Sequence, residues 1–225
     1  MKLLAIDCAA APCAACVYDA AAKTELGRQV LDLGKGHAEH LMAVIGAALK
    51  AAGTRYVGLG AIAVSVGPGS FTGLRVGVST ARGLALALKI PAIGVTTLEA
   101  LAAEAAASFP GRTVIAALDA GREEIHAAVY DKALALAYGP AVTTLAQATA
   151  MAVDTSAVLA GTAASKIATS AGRAFEIGPT GATADIAVYA RLAAEKGAGE
   201  RPKPLYLRGA DAKPQAGFIL PRQAS

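Results

Sequence analysis

Tryptophan is absent from these 225 residues, and four phenylalanines and six tyrosines supply all the aromatic bulk. That scarcity argues against an RRM-like or single-strand-binding module, in which exposed rings stack on bases. Long apolar runs are missing too: none approaches the roughly 20 residues that cross a bilayer, because Asp, Lys, Arg, Gly or Pro interrupts each one. The start, Met1 to Cys8, mimics a leader peptide. Its apolar stretch is only Leu3 to Ile6, however, and Asp7 stands where a small residue would be required, so it reads as a first β-strand with no targeting signal. Three cysteines, an odd number, argue against a disulfide framework and for a reducing cytoplasm.

Alanine is what the chain has in excess. There are 58, about a quarter of all residues, so the core is expected to be built from small side chains. The formal charge of +4 is unevenly spread. Residues 1 to 200 balance 16 Lys and Arg against 16 Asp and Glu, whereas 201 to 225 carry Arg201, Lys203, Arg208, Lys213 and Arg222 against Asp211 alone. An anionic partner would therefore meet the C-terminal stretch rather than the body.

Hydrophobic patterning predicts a hairpin from Leu3–Ile6 and Ala14–Tyr18, a strand over 27–33, and a helix from His37 to Ala52 stopped by Gly53. A continuous apolar strand over 61–66 reads as buried on both faces. A Gly-rich loop then feeds a helix to about Lys89, followed by a short strand over 92–95 and a helix over 98–107. The second half echoes the first. Shifting by 112 residues lays Leu3–Asp7 on Ile115–Asp119 and Ala15–Asp19 on Ala127–Asp131, with Asp7, Val17, Tyr18 and Asp19 identical to their mates. Helices are expected near 145–152, 163–171 and 184–196. Two tandem β-β-β-α-β-α units make an α/β protein of two lobes, 1–110 and a degenerate 111–200, followed by a basic tail, 201–225. This duplicated layout resembles the actin-like superfamily of sugar kinases and Hsp70 (ASKHA, RNase H-like lobes).

Several residue groups could carry chemistry. The string Gly67-Pro68-Gly69-Ser70-Phe71-Thr72-Gly73 reads either as an anion cradle or as a strand-to-helix turn that needs glycine for its geometry. It is neither a Walker A loop nor a dinucleotide fingerprint. In the following helix Gly73, Gly77 and Ala81 form a bare stripe beside a polar one, Arg75, Ser79 and Arg82. That pairing suits docking against another helix, or packing on the chain's own first helix, where Ala43, Gly46, Ala47 and Lys50 are equally bare. His37 and His40 are three apart and do not match the i, i+4 metalloprotease spacing; His126 is the remaining histidine. Cys13 and Cys16 are spaced like a redox pair, but an odd offset in a strand points them to opposite faces. An actin-like nucleotide site needs Gly and hydroxyls after the first-strand carboxylate. Here Asp7 precedes Cys8, Ala9, Ala10, Ala11 and Pro12, and the equivalent Asp119-Ala120-Gly121 precedes Glu123 and Glu124, which would repel a triphosphate. Neither cofactor nor metal is expected.

The start Leu-Leu-Ala-Ile-Asp, the run Ser65 to Gly77 with Ala81-Arg82-Gly83-Leu84-Ala85, Leu118-Asp119-Ala120 and Pro204-Leu205-Tyr206-Leu207-Arg208 together resemble the TsaB (YeaZ) family of bacterial tRNA threonylcarbamoyladenosine biosynthesis proteins. The family's usual Asp-Thr-Ser is here Asp7-Cys8-Ala9. The resemblance implies a noncatalytic subunit that binds and activates the catalytic paralogue TsaD. A P-loop ATPase, TsaE, is implied as a further partner, with tRNA met through the complex, which modifies adenosine 37 of tRNAs reading ANN codons. It also implies a partner interface on the first two helices, for which Leu41, Ile45, Gly73, Arg75, Gly77 and Arg82 are the candidates. Self-association through the same helices is a further expectation, and no membrane contact is implied. The alternatives carried alongside are a metal-dependent glycoprotease-like peptidase using His37 and His40, and a kinase-like ATP-binding protein.

Overall fold

The computed structural model describes residues 1–207; Arg208, Asp211, Lys213 and Arg222 of the expected basic tail lie outside the described residues. The first half folds as β1 (Lys2–Asp7), β2 (Pro12–Asp19), β3 (Thr24–Asp32), α1 (His37–Ala51), a 3-10 turn, β4 (Leu59–Gly67), α2 (Phe71–Leu88), β5 (Ala92–Thr96) and α3 (Thr97–Ser108). The second follows as β6 (Val114–Asp119), β7 (Glu124–Tyr130), β8 (Leu136–Thr144), α4 (Leu145–Thr155), β9 (Val158–Ala160), α5 (Ala164–Ala171) and α6 (Ile186–Lys196). The helices expected over 98–107 and 184–196 thus close the two halves as α3 and α6, beyond the six-element β-β-β-α-β-α unit. In the second half an isolated bridge, Leu159 to Ile177, stands where the first has β5.

Two mixed sheets result, ordered β3-β2-β1-β4-β5 and β8-β7-β6-β9. The antiparallel hairpins fall where alternation predicts them, and β4, apolar but for Ser65, is parallel to both neighbours and buried. Helices start at side-chain caps: Ser70 accepts from the Gly73 amide, Thr96 from Glu99, and Thr144 forms a reciprocal box with Gln147. Helices α1 and α2 cover the outer face of the first sheet, and α4 and α5 that of the second. Between the sheets lie α3 and α6, and each crosses over. Helix α3 packs mainly on β6, β7 and β9, whereas α6 returns to β1, β2, β4 and β5. The division near residue 110 thus separates the sheets but not the packing units, because α6 closes the first lobe.

Alanine makes up half of the buried residues in this shared layer. Ala100, Ala102 and Ala105 of α3 and Ala190 and Ala193 of α6 meet Ala5, Ala63, Ala116, Ala128 and Ala160 of the sheets, so two sheets close over two helices with little side-chain bulk. Tyr18, Tyr130 and Tyr189 are the largest exceptions, and Tyr189 is fully buried.

The 112-residue repeat locates the strands but misplaces their faces. Bounds of β1, β3, β6 and β8 coincide under the shift. Yet Leu3 and Ala5 face the shared core, while their mates Ile115 and Ala117 lie on the far side of the second sheet with α4 and α5. The faces agree only if β6 is offset by one further residue, and one residue in a strand inverts every side chain. Asp7 accordingly points inward and Asp119 outward.

The bare stripe of α2 faces the chain's own first sheet. A methyl on Gly73 would sit 2.0 Å from the Cys8 carbonyl, and one on Gly69 would sit 2.3 Å from that of Ala9. At Gly77 the nearest atom is 3.6 Å away, an ordinary contact. Gly73→Ala is expected to cost about 1–3 kcal/mol through forced backbone displacement, which is roughly 2–4 °C of Tm per kcal/mol for a chain of this size. Gly77→Ala should leave the melting temperature nearly unchanged, whereas Gly77→Leu should destabilise the lone chain; scanning calorimetry of the three variants reads the order.

Candidate partner interface and a sealed carboxylate

Strand β1 delivers Asp7 to the edge of the inter-sheet layer, where it is 1% exposed. Three donors close on its carboxyl: the Ser65 hydroxyl from β4, the Thr183 hydroxyl at 2.6 Å and the Ala9 amide at 2.9 Å. Thr183 is in turn 2.7 Å from the Tyr189 hydroxyl of α6. Burial pushes the Asp7 carboxyl above its ordinary value, against the three hydrogen bonds and the nearby His37, which favour the ionised form. Burial and the same carboxyl push the Tyr189 phenol well up.

A cleft of about 360 Å³ lies between the lobes, walled by Ala9, Ala10, Ser70, Asp119, His126 and Thr162 among others. The Asp7 side chain is behind this wall, not on it. The Ser70 amide, which an anion cradle would present to ligand, donates to the Ala9 carbonyl at 2.7 Å. Asp119 bonds the Gly121 amide at 2.9 Å and Lys166 at 3.3 Å, and these hold its carboxyl below the usual range, the Gly121 bond first. With Asp7 enclosed and Ala9 to Ala11 lacking hydroxyls, the residues present do not fit a metal-nucleotide. The Gly-rich string is a packing turn whose glycines let α2 approach β1.

The histidines do not fit a metal either. His37 is buried with Nε2 2.9 Å from the Ala10 carbonyl, which ties α1 to the β1–β2 turn, while His40 is exposed. Among the described residues no group of three His, Cys, Asp or Glu could hold an ion. Cys13 and Cys16 lie in cores on opposite faces of the first sheet, as their offset predicts. All three thiols are free and buried.

Of the six interface candidates, four are inside the molecule. Leu41 and Ile45 of α1 join the core under the first sheet, and Gly73 and Gly77 are buried against β1 and β4. This corrects the expectation: apolar and small residues at helical spacing mark the face a helix buries, and here that face is spent on the chain's own sheet. Arg75 and Arg82 remain exposed, with Ser79, on the opposite face of α2. On α1 the bare surface is Ala43 and Gly46 beside Met42 (51% exposed), and a methyl on Gly46 or on Gly83 of α2 would meet nothing within 4 Å.

Sequence reasoning missed what joins this surface. Residues 201–207, expected as the start of a tail, run back along the first lobe. Pro202 rests on Gly94, the Leu205 amide donates to the Val66 carbonyl at 2.7 Å, and the Tyr206 ring lies 4.9 Å from that of Phe71. The Arg75 guanidinium stands 3.9 Å over Phe71 while its Nε donates to the Tyr206 hydroxyl at 3.0 Å. Phe71 and Tyr206, two rings in a chain that has few, are half-exposed, and that was the available signal.

Two mixed sheets related by duplication, with crossover helices shared between them, define an actin-like two-lobed protein. The model of the family described as TsaD, tRNA N6-adenosine threonylcarbamoyltransferase, matches residues 32–195, and the chain belongs to that family. It is 34% identical over 135 residues to the tRNA threonylcarbamoyladenosine biosynthesis protein TsaB of Escherichia coli, a stretch covering 59% of this chain and 56% of that one. The chain thus spans about half the length of the curated relatives it matches. Two solved structures from Pseudomonas aeruginosa are similar across 92% of this chain and 99% of theirs. One is YeaZ, at 26% identity and a TM-score of 0.72; the other, described as similar to peptidase YeaZ, has 25% identity and a TM-score of 0.77. The TsaB/YeaZ resemblance read from the sequence therefore holds.

Because its folded value is raised, Asp7 favours folding below the ordinary aspartate value of 3.8, and that contribution is lost as pH rises through the folded value. Asp7→Asn stays neutral throughout. The stability of the native chain relative to Asp7→Asn should fall as pH is raised from 4 toward 8, as read by paired urea titrations; a difference that grows with pH would refute the raised value.

Proposed function

We propose that this chain is a noncatalytic subunit of the complex that forms N6-threonylcarbamoyladenosine at position 37 of tRNAs reading ANN codons, and that it binds and activates a TsaD-like paralogue. The observation that carries the reading is the closure of Asp7. The carboxylate at the position where an actin-like protein holds its metal-nucleotide is consumed by Ser65, Ala9 and Thr183, so it serves the fold. Family membership and the names of the curated relatives support the pathway.

The partner surface is the outer side of α1 and α2. It offers bare helix at Ala43 and Gly46, an apolar side chain at Met42, and a cation at Arg75 held by Phe71 and Tyr206. Small residues let a second helix approach, and a stacked guanidinium loses little freedom when it pairs with a carboxylate across the interface. A TsaE-like P-loop ATPase joins the pair, and tRNA is met through the assembly in the cytoplasm. When the paralogue is absent, the same face is open to a second copy of this chain.

Co-expression with the TsaD-like protein of the same cell tests the reading. The two should co-purify, and tRNA modification should require both. Met42→Glu and Arg75→Glu alter exposed side chains and should weaken the pair at least tenfold by calorimetry; melting of the lone chain should be unchanged in Met42→Glu and slightly lowered in Arg75→Glu, which also loses the contacts to Phe71 and Tyr206. Unaltered affinity in both variants would remove the face; modification without this chain would remove the role.

A further inference from the structure

The outer stripe of α2 does not end at Arg82. It continues at helical spacing through Leu86, 78% exposed, to Lys89, which caps the helix. There a half-open cavity of about 450 Å³ lies between the end of α2, the entry to β5 and the segment that leaves α6. Arg82, Lys89 and Arg201 line it together with Leu86, Ile90 and Pro91, and no carboxylate is on its wall. Among the described residues none of the three cations forms an ion pair.

The α2 dipole accounts for only part of this. A cation is favoured within the last helical turn, which covers Lys89. Arg82 lies two turns earlier and Arg201 arrives from another element. Three like charges on one cavity, two from α2 and its cap and one beside Glu200 in the segment after α6, with none in an ion pair among the described residues, are stabilised when an anion joins them. The body is otherwise balanced, so the feature is local.

We propose that this cavity is a contact site for the phosphodiester backbone of RNA. A small phosphorylated metabolite would be fixed by directional donors, but apart from the cations the lining is aliphatic and backbone. Exposed cations among aliphatic side chains, without aromatic rings, suit backbone contact that is independent of base sequence. The choice of RNA rests on the role proposed above; the cavity and its charge do not. The site also places Arg201 beside α2, because Pro202 and Leu205 hold the segment in place.

Fluorescence anisotropy of the full chain with a labelled tRNA transcript, over a salt series, tests the site. The variant Arg82→Ala/Lys89→Ala/Arg201→Ala should bind at least tenfold more weakly at low salt, with the slope of log K against log salt shallower by about 2–3. The variant Lys35→Ala/Arg55→Ala/Lys132→Ala, with the same change in net charge, should lose less than threefold. Equal losses in the two would overturn the site. Displacement of the tRNA by inorganic phosphate at low millimolar concentration would overturn it in favour of a small anion. Displacement by polyglutamate as effective as by unlabelled tRNA would overturn it in favour of an acidic protein. The same variant is then assayed for binding the TsaD-like paralogue: a selective tRNA defect with no paralogue binding by the native chain fails the proposed role alone, and native paralogue binding without a tRNA defect fails the site alone.

Discussion

A buried carboxyl with every approach occupied is the point on which this structure turns. Asp7 joins β1 to β4 through Ser65, to the following turn through Ala9, and to the approach of α6 through Thr183, which Tyr189 anchors. The farthest of those donors, Thr183, is 176 residues from Asp7 along the chain. Enclosing a carboxyl costs solvation, which hydrogen bonds from fixed partners offset in part, so the partners must be present together. The knot thereby fixes where α6 returns to the first sheet, and so how the two halves share one core.

The same economy of position governs the turn from β4 to α2. Glycines at 69 and 73 let the helix start within contact distance of the Ala9 and Cys8 carbonyls. Amides that elsewhere could bind a phosphate are spent inside the protein, on Ala9 and on the Ser70 cap. What remains free for other molecules is the opposite side of α2. There Phe71, Arg75 and Tyr206 form a small rigid cluster at one end, and three cations gather at the other. The segment over 201–207 is common to both ends.

Much of the fold was legible because its signals are local. Ser70 and Gly53 mark helix ends, β4 is apolar sequence broken only by Ser65, and Cys13 and Cys16 fall on opposite faces because strand periodicity is two. The duplication was legible as well, down to the bounds of several strands. The candidate site was read less well. Leu41, Ile45, Gly73 and Gly77 carry the periodicity of a packing face, and periodicity does not say whether the surface it meets is in the same chain or another. Nothing in the spacing of Tyr206 announced that it would lie against Phe71, since that contact spans well over a hundred residues.

By itself, then, the sequence determined the order of elements, their caps, the small-side-chain core and the loss of hydroxyls after β1, because each follows from the chemistry of near neighbours. Tertiary structure decided three further matters. It set which face of α2 is outside, turned Asp119 away from the inter-sheet layer that encloses Asp7, and brought Arg201 to the end of α2. The reason is physical: burial and charge proximity are properties of space, and a one-residue change of strand register or a helix crossing between sheets alters both while leaving the pattern of residues unchanged.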